Sequence, residues 1–236
     1  MKNLLLVLAG SAAIAHAGLI TNPSFETGLS GWTVANQTGS DGAFSIQTGT
    51  TSPINALAVP NPPQGTRAAM TDAQGPGTHV LYQDFFVPSI IGSAMLTFSY
   101  SLNNTGFQYA SPSTLDFSIA QFNQQARVDI ITTGANVFSV NPADVLLNIF
   151  QTSAASPLVT PAYVVLQTSI APLLQAHAGE TLRLRFAEAD NLSFFNFGVD
   201  AADIDVSDVP EPATLFLAAG AFVGFAVLRR RRKFSN

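Results

Sequence analysis

Leu96-Thr97-Phe98-Ser99-Tyr100-Ser101-Leu102 decides the fold class. Large apolar side chains at 96, 98, 100 and 102 alternate with small hydroxyl residues, which is the period of a strand with one buried face. A helix would instead repeat its apolar positions three and four residues apart. The same signal recurs on both sides. Upstream, residues 79–87 form one β-rich run. Downstream, Leu115, Phe117 and Ile119 repeat the alternation, as do Leu182, Leu184 and Phe186 against Arg183 and Arg185. Shorter β-like pieces lie at residues 43–47 and 67–71, and Leu19 and Ile20 start a further strand. Gly, Pro, Asn and Ser clusters separate these pieces, with a rigid connecting loop at residues 60–65 and one brief helical turn at 172–176. Several short strands and no long amphipathic helix predict an all-β sandwich. Trp32, the only tryptophan, is expected as a plug between the sheets. Phe194, Phe195 and Phe197 are expected as core residues of a closing hairpin.

The two ends of the chain follow different rules. Met1-Lys2 is a short positive start, residues 4–14 are apolar, and Ala15-His16-Ala17 is an A-x-A site before Gly18. That is a Sec signal peptide over residues 1–17, cleaved between Ala17 and Gly18. Residues 213–228 carry no charge and run roughly 24 Å as a helix, a little short of a hydrocarbon core of about 30 Å. Five cations follow at 229–233, which the positive-inside rule keeps in the cytoplasm. One C-terminal transmembrane helix is therefore expected, with the domain of residues 18–208 outside the cytoplasm and a terminal signal at 209–236. The remaining alternative, a buried core helix with a solvated basic tail, is left open by length alone.

Pro210, Glu211 and Pro212, then a short apolar helix, then an arginine cluster, together resemble the PEP-CTERM sorting signal of Gram-negative bacteria that make exopolysaccharide. The resemblance implies handling by an exosortase, with recognition at Pro210, Glu211 and Pro212 and removal of the helix and tail. It implies an inner-membrane-anchored precursor that reaches the cell surface or extracellular matrix. Residues 144–152, 182–191 and 195–200 look like the ectodomain of one group of these proteins, which has no established enzyme activity to carry over.

The opening Asn22-Pro23-Ser24-Phe25-Glu26-Thr27-Gly28-Leu29-Ser30-Gly31-Trp32 resembles the start of carbohydrate-binding-module-like jelly rolls, the galactose-binding-like β-sandwiches. The resemblance implies a jelly-roll topology. It also implies a structural Ca²⁺ between Glu26 and Asp200, an ion that takes six to eight oxygens. The closing strand departs from the family pattern, because Ala201-Ala202 follow Val199-Asp200. Against the calcium reading stands a plainer one, in which Glu26 caps a turn and Asp200 bonds backbone.

Charge and composition exclude several functions. Between residues 18 and 208 there are four arginines, no lysine and fourteen acids, a formal charge of −10. Such a surface repels phosphate backbones, so nucleic-acid binding is not expected. The chain has no cysteine, which excludes disulfides and thiol catalysis. His79 and His177 lack zinc-ligand spacing, and there is no Gly-x-Ser-x-Gly elbow. The expectation is a non-catalytic surface or matrix protein associated with exopolysaccharide. The alternative is a carbohydrate-binding module, with a glycosidase a distant third. Phe107 and Tyr109, in a Gly/Asn/Ser loop, are the candidate sugar platform, ahead of Tyr82, Tyr100 and Tyr163; each aromatic has a core or rim position as its plainer alternative.

Overall fold

The protein was analysed as a computed structural model that describes residues 16–207. The signal peptide up to residue 15, the Pro210-Glu211-Pro212 motif and the expected transmembrane helix lie outside the described residues. Within them the elements are β1 (His16–Gly18), β2 (Thr33–Asn36), β3 (Ala43–Thr48), β4 (Arg67–Asp72), β5 (Gly77–Phe86), β6 (Ser93–Asn104), β7 (Gln124–Thr132), β8 (Val145–Gln151), β9 (Val164–Ser169), α1 (Ala171–Ala176), β10 (Thr181–Asp190) and β11 (Phe195–Ser207). Among the described residues no helix is long and apolar enough to cross a membrane.

The strands form a jelly-roll β-sandwich of two antiparallel sheets. One sheet has the order β3-β4-β11-β6-β9, with β1 also paired to β11; the other has the order β2-β5-β10-β7-β8. The alternation in the sequence sets the faces. Leu96, Phe98 and Leu102 of β6 and Phe195, Phe197 and Val199 of β11 meet Leu81, Phe85, Leu182, Leu184 and Phe186 of the second sheet in one core. Each such side chain contributes roughly 1.5–3 kcal/mol on burial. Trp32 is the expected plug: its ring sits 5.3 Å from Phe25 and 5.8 Å from Phe186. Its indole N–H donates to the Asn22 carbonyl at 3.1 Å.

The structure corrects three sequence expectations and adds a strand that none of them covered. Residues 115–119 are a loop, although they alternate. Asp116 accepts from the Ser118 N–H at 2.9 Å, the Thr114 hydroxyl accepts from the Asp116 N–H at 3.0 Å, and these side chains take the bonds a strand ladder would use. Leu19 and Ile20 lie just past β1 rather than in a strand, although the Leu19 N–H still donates to the Ile204 carbonyl at 2.9 Å. Phe194 is 39% exposed instead of core, because it belongs to the turn before β11. Strand β7 has no counterpart among the expected strands, since Gln124, Gln125, Arg127 and Asp129 look like surface residues in the sequence. All four are buried: Gln124 faces the interior and bonds Asn104, whereas Gln125, Arg127 and Asp129 lie on the outer face, which the loops carrying Leu115 and Val137, Phe138 and Val140 cover. There Arg127 and Arg185 both bind Asp129, and Arg185 also donates to the Val137 and Ser139 carbonyls at 2.7 Å.

In the closing strand, Asp200 pairs with Ser99 and Asp203 with Thr97, so one extra residue is accommodated between them as a bulge. Ala201 sits there at φ +50°. The departure at Ala201-Ala202 is thus a local insertion, and the register of Asp203 and Asp205 resumes beyond it.

Candidate functional site

The strongest candidate site lies at one pole of the sandwich, where β10 turns into β11. A cavity of about 270 Å³ opens there, lined by residues 74–76 and 190–194. Its walls are held by side chains that bond backbone. Asn191 accepts from the Asn123 N–H at 2.7 Å and donates to the carbonyls of Phe117 at 2.9 Å and Gln121 at 3.0 Å. Gln124 donates to the Ser193 carbonyl and to the Asn104 side chain, both at 2.9 Å. The Thr105 N–H donates to the Phe194 carbonyl at 2.9 Å, which ties the loop after β6 to the same turn.

One exposed aromatic lies in the cavity wall, and two more lie on the loops tied to its turn. Phe194 lines the cavity. Phe107 is 70% exposed and Phe122 48% exposed, and their rings meet edge to face at 6.1 Å. Apolar rings left open to water beside hydrogen-bonding groups mark ligand surfaces more often than isolated exposed residues do. Phe107 was the platform expected from sequence. Phe122 was not, and its only signal there is a phenylalanine in a polar stretch.

Tyr109, expected beside Phe107 as an exposed platform, is instead buried. The bridge between Ala110 and Gln124 draws the chain inward after Phe107. The Tyr109 hydroxyl donates to the Pro157 carbonyl at 3.1 Å and its ring lies 5.5 Å from Phe195. Tyr82 is covered by the Arg183 guanidinium, 4.1 Å from its ring centre. Tyr100 packs 4.5 Å from Phe150, and the Tyr163 hydroxyl is held by Gln47 at 2.6 Å. None of these three joins the cavity.

Asp190 is the charged side chain of the lining, and it is 2% exposed. Its Oδ1 accepts from the Gly77 N–H at 2.8 Å. Burial pushes its carboxyl up to about 7, and the negative charge of Asp41 adds to the shift. Behind it, on the same face of β10, Glu188 is fully enclosed, its Oε1 has no hydrogen-bond partner, and burial raises its carboxyl well above the usual range. Across the ladder from Glu188 stands His79, whose Nδ1 lies 2.9 Å from the Asn36 side-chain oxygen. Burial pushes His79 down to about 4, so it is neutral near pH 7. Perturbed groups beside a cleft are functional-site candidates. Only Asp190 of the three reaches the cavity.

Away from the cavity, Glu26 and Asp200, the latter midway along β11, are brought to one loop. Glu26 Oε1 accepts from the N–H groups of Thr66 and Arg67, both at 2.9 Å, and Asp200 Oδ2 accepts from Gln64 N–H at 3.0 Å. Burial pushes Asp200 up to about 6, with the Glu26 charge adding to it. Among the described residues no group of three or more histidines or acids is placed to hold a metal. Gly18, the expected first residue after cleavage, pairs with Asp205, so the Ala17–Gly18 bond falls within β1.

Comparison with known proteins identifies the PEP-CTERM protein-sorting motif over residues 208–232. The motif implies an exported, membrane-anchored precursor of a Gram-negative bacterium and processing by an exosortase. No curated protein matches the chain. Among solved structures the chain is similar to TmCBM61 in complex with beta-1,4-galactotriose, at 12% identity and TM-score 0.48, covering 80% of this chain and 97% of that one. It is also similar to the K3 cleaved adhesin domain of Lys-gingipain from Porphyromonas gingivalis, at 14% identity and TM-score 0.47, covering 82% and 99%. A third is the enzymatically active domain of bacteriophage CBA120 tailspike protein 4, at 13% identity and TM-score 0.45, covering 80% of this chain and 21% of that one.

Proposed function

We propose that the chain is an exported surface or extracellular-matrix protein, sorted by an exosortase, associated with exopolysaccharide and without catalytic activity of its own. The observation that carries this reading is the sorting motif, which begins at residue 208 directly after β11 ends at Ser207. Export through the Sec translocon, cleavage between Ala17 and Gly18 and a transient anchor at residues 213–228 belong to the same proposal. Deleting residues 212–236 is expected to release the domain into the periplasm or medium, as read by fractionation and immunoblotting. Retention of the truncated chain with the membrane, as in wild type, would overturn the anchoring.

A second reading, glycan binding at the cavity, is favoured by Phe194 in its lining and by the exposed Phe107–Phe122 pair on the adjoining loops. A volume near 270 Å³ approaches the lower end of ligand pockets, about 300 Å³. Hydrolysis is less well supported than binding. Glycosidases need two carboxyls flanking the bond that breaks, and Glu188 lies in the interior behind Asp190. On a glycan array, Phe107→Ala is expected to weaken binding about tenfold, the effect of roughly 1.4 kcal/mol of lost stacking. No binding to acidic or neutral polysaccharides would leave the sorting reading alone. We also propose calcium as a structural ion at Glu26 and Asp200, supported by the two carboxylates sharing one loop.

A further inference from the structure

We propose that the cavity selects an amino sugar, a polymer unit carrying a protonated amine, with the amine against the Asp190 carboxylate and the sugar against the Phe194 ring. This rests on the glycan reading of the same site and adds the charge class of its ligand.

The interior carboxylates are treated unequally. Asp129 is bound by two arginines and by the Asn148 side chain. Asp72 accepts from the N–H groups of Ile54, Asn55 and Ala73 and from Asn196. Asp190 is as deeply buried as these, yet it pairs with no cation among the described residues, and its hydrogen bonds come from backbone N–H groups, Gly77 and Phe195. An unpaired buried carboxylate is costly, and a cation delivered by a ligand removes that cost. The three arginines of the second sheet are committed elsewhere: Arg127 and Arg185 to Asp129, and Arg183 to Asp84. Arg67 begins β4 and lies at the other end of that strand from the 74–76 wall.

The field around the cavity agrees. Asp41 adds a further negative charge at this pole, and residues 18–208 hold fourteen acids and no lysine. Such a surface attracts cations and opposes uronate or sulfate polymers. A metal ion is the poorer occupant, since Asp190 is the one acid among the residues of the lining. Phe194 in the same lining suits an organic ammonium instead, because a cation is drawn to an aromatic face while the sugar's C–H face packs on the ring.

Calorimetry on the full chain in detergent tests this with four probes: an oligomer of glucosamine, the N-acetylated oligomer of equal length, a uronate oligomer and choline chloride. The glucosamine oligomer is expected to bind at least tenfold more tightly than the N-acetylated one, and the uronate not at all. Asp190→Asn is expected to erase that preference. Phe194→Ala is expected to weaken both. Wild-type comparison alone decides the matter if the Asp190 variant folds poorly. Equal binding of the amino and N-acetylated oligomers overturns the amino-sugar assignment and leaves the glycan reading standing. Binding of none of the sugars overturns the glycan reading itself. Choline binding as tightly as the amino oligomer overturns the sugar part and leaves an ammonium site.

Discussion

At the residue scale the sandwich stores opposite titrations side by side. Asp190, pushed up to about 7, keeps its proton in the native state when the unfolded chain has lost it near 4. The native state then binds more protons, so this residue's contribution to stability falls as pH rises from about 4 to about 7. His79, pushed down to about 4, does the reverse between about 4 and 6.5, because there the unfolded chain takes up the proton. Asp190→Asn removes the first effect alone. Relative to wild type, the variant should gain stability from pH 4 to pH 7, by up to about 4 kcal/mol at 1.36 kcal/mol per pKa unit. Urea unfolding at a series of pH values checks it, and a flat difference would show that Asp190 titrates normally. This site was partly legible in the sequence. The period that buries Leu182, Leu184 and Phe186 continues to Glu188 and Asp190, which places two acids on the buried face. What sequence could not give is the cavity beside Asp190, because its walls come from residues more than a hundred positions apart.

At the scale of elements, the second sheet depends on a charged outer face that is buried. Strand β7 was illegible because burial of Arg127 and Asp129 needs loops on that face, and no local pattern announces such a cover. Arg185 on β10 joins the layers, binding Asp129 on β7 and the Val137 and Ser139 carbonyls of the covering loop. Arg185→Met keeps the volume and removes the charge, leaving two carbonyls without their donor. The expected loss is about 3–5 kcal/mol, as for other broken buried ion pairs. Proteolysis within residues 133–144 should quicken in the same variant. A loss below about 1 kcal/mol, with the loop as resistant as before, would mean that the loop is held by Val137, Phe138 and Val140 packing alone. Strands β5, β6 and β10 were legible for the contrary reason: their apolar period is set by the shared core, and that core is encoded within each strand.

At the scale of the whole molecule, sequence named the sandwich and the sorting motif, and the resemblance to jelly rolls implied Glu26 beside Asp200, far apart along the chain. The loop at residues 64–67 meets both carboxylates with N–H groups, so calcium and simple clamping make different predictions. With calcium bound, melting temperature rises with added ion, by mass action worth about 2.7 kcal/mol at a hundredfold excess over Kd. Glu26→Ala and Asp200→Ala should abolish the rise, and equal magnesium should not reproduce it, because that ion demands a tighter octahedron. Equal responses to both ions would assign the effect to screening of an acidic domain. Strand β11 adds a last consequence. It starts at the cavity turn with Phe195 and ends at Ser207, opposite His16 of β1, thirteen residues that span roughly 40 Å at about 3.3 Å each. A chain held at the membrane by its C-terminal signal would therefore carry its cavity at the far pole, facing outward. Many such chains in one membrane plane would offer a polymer a lattice of parallel grips. Weak individual contacts would then add through effective concentration, with avidity reaching about 10²–10⁴ times a single contact.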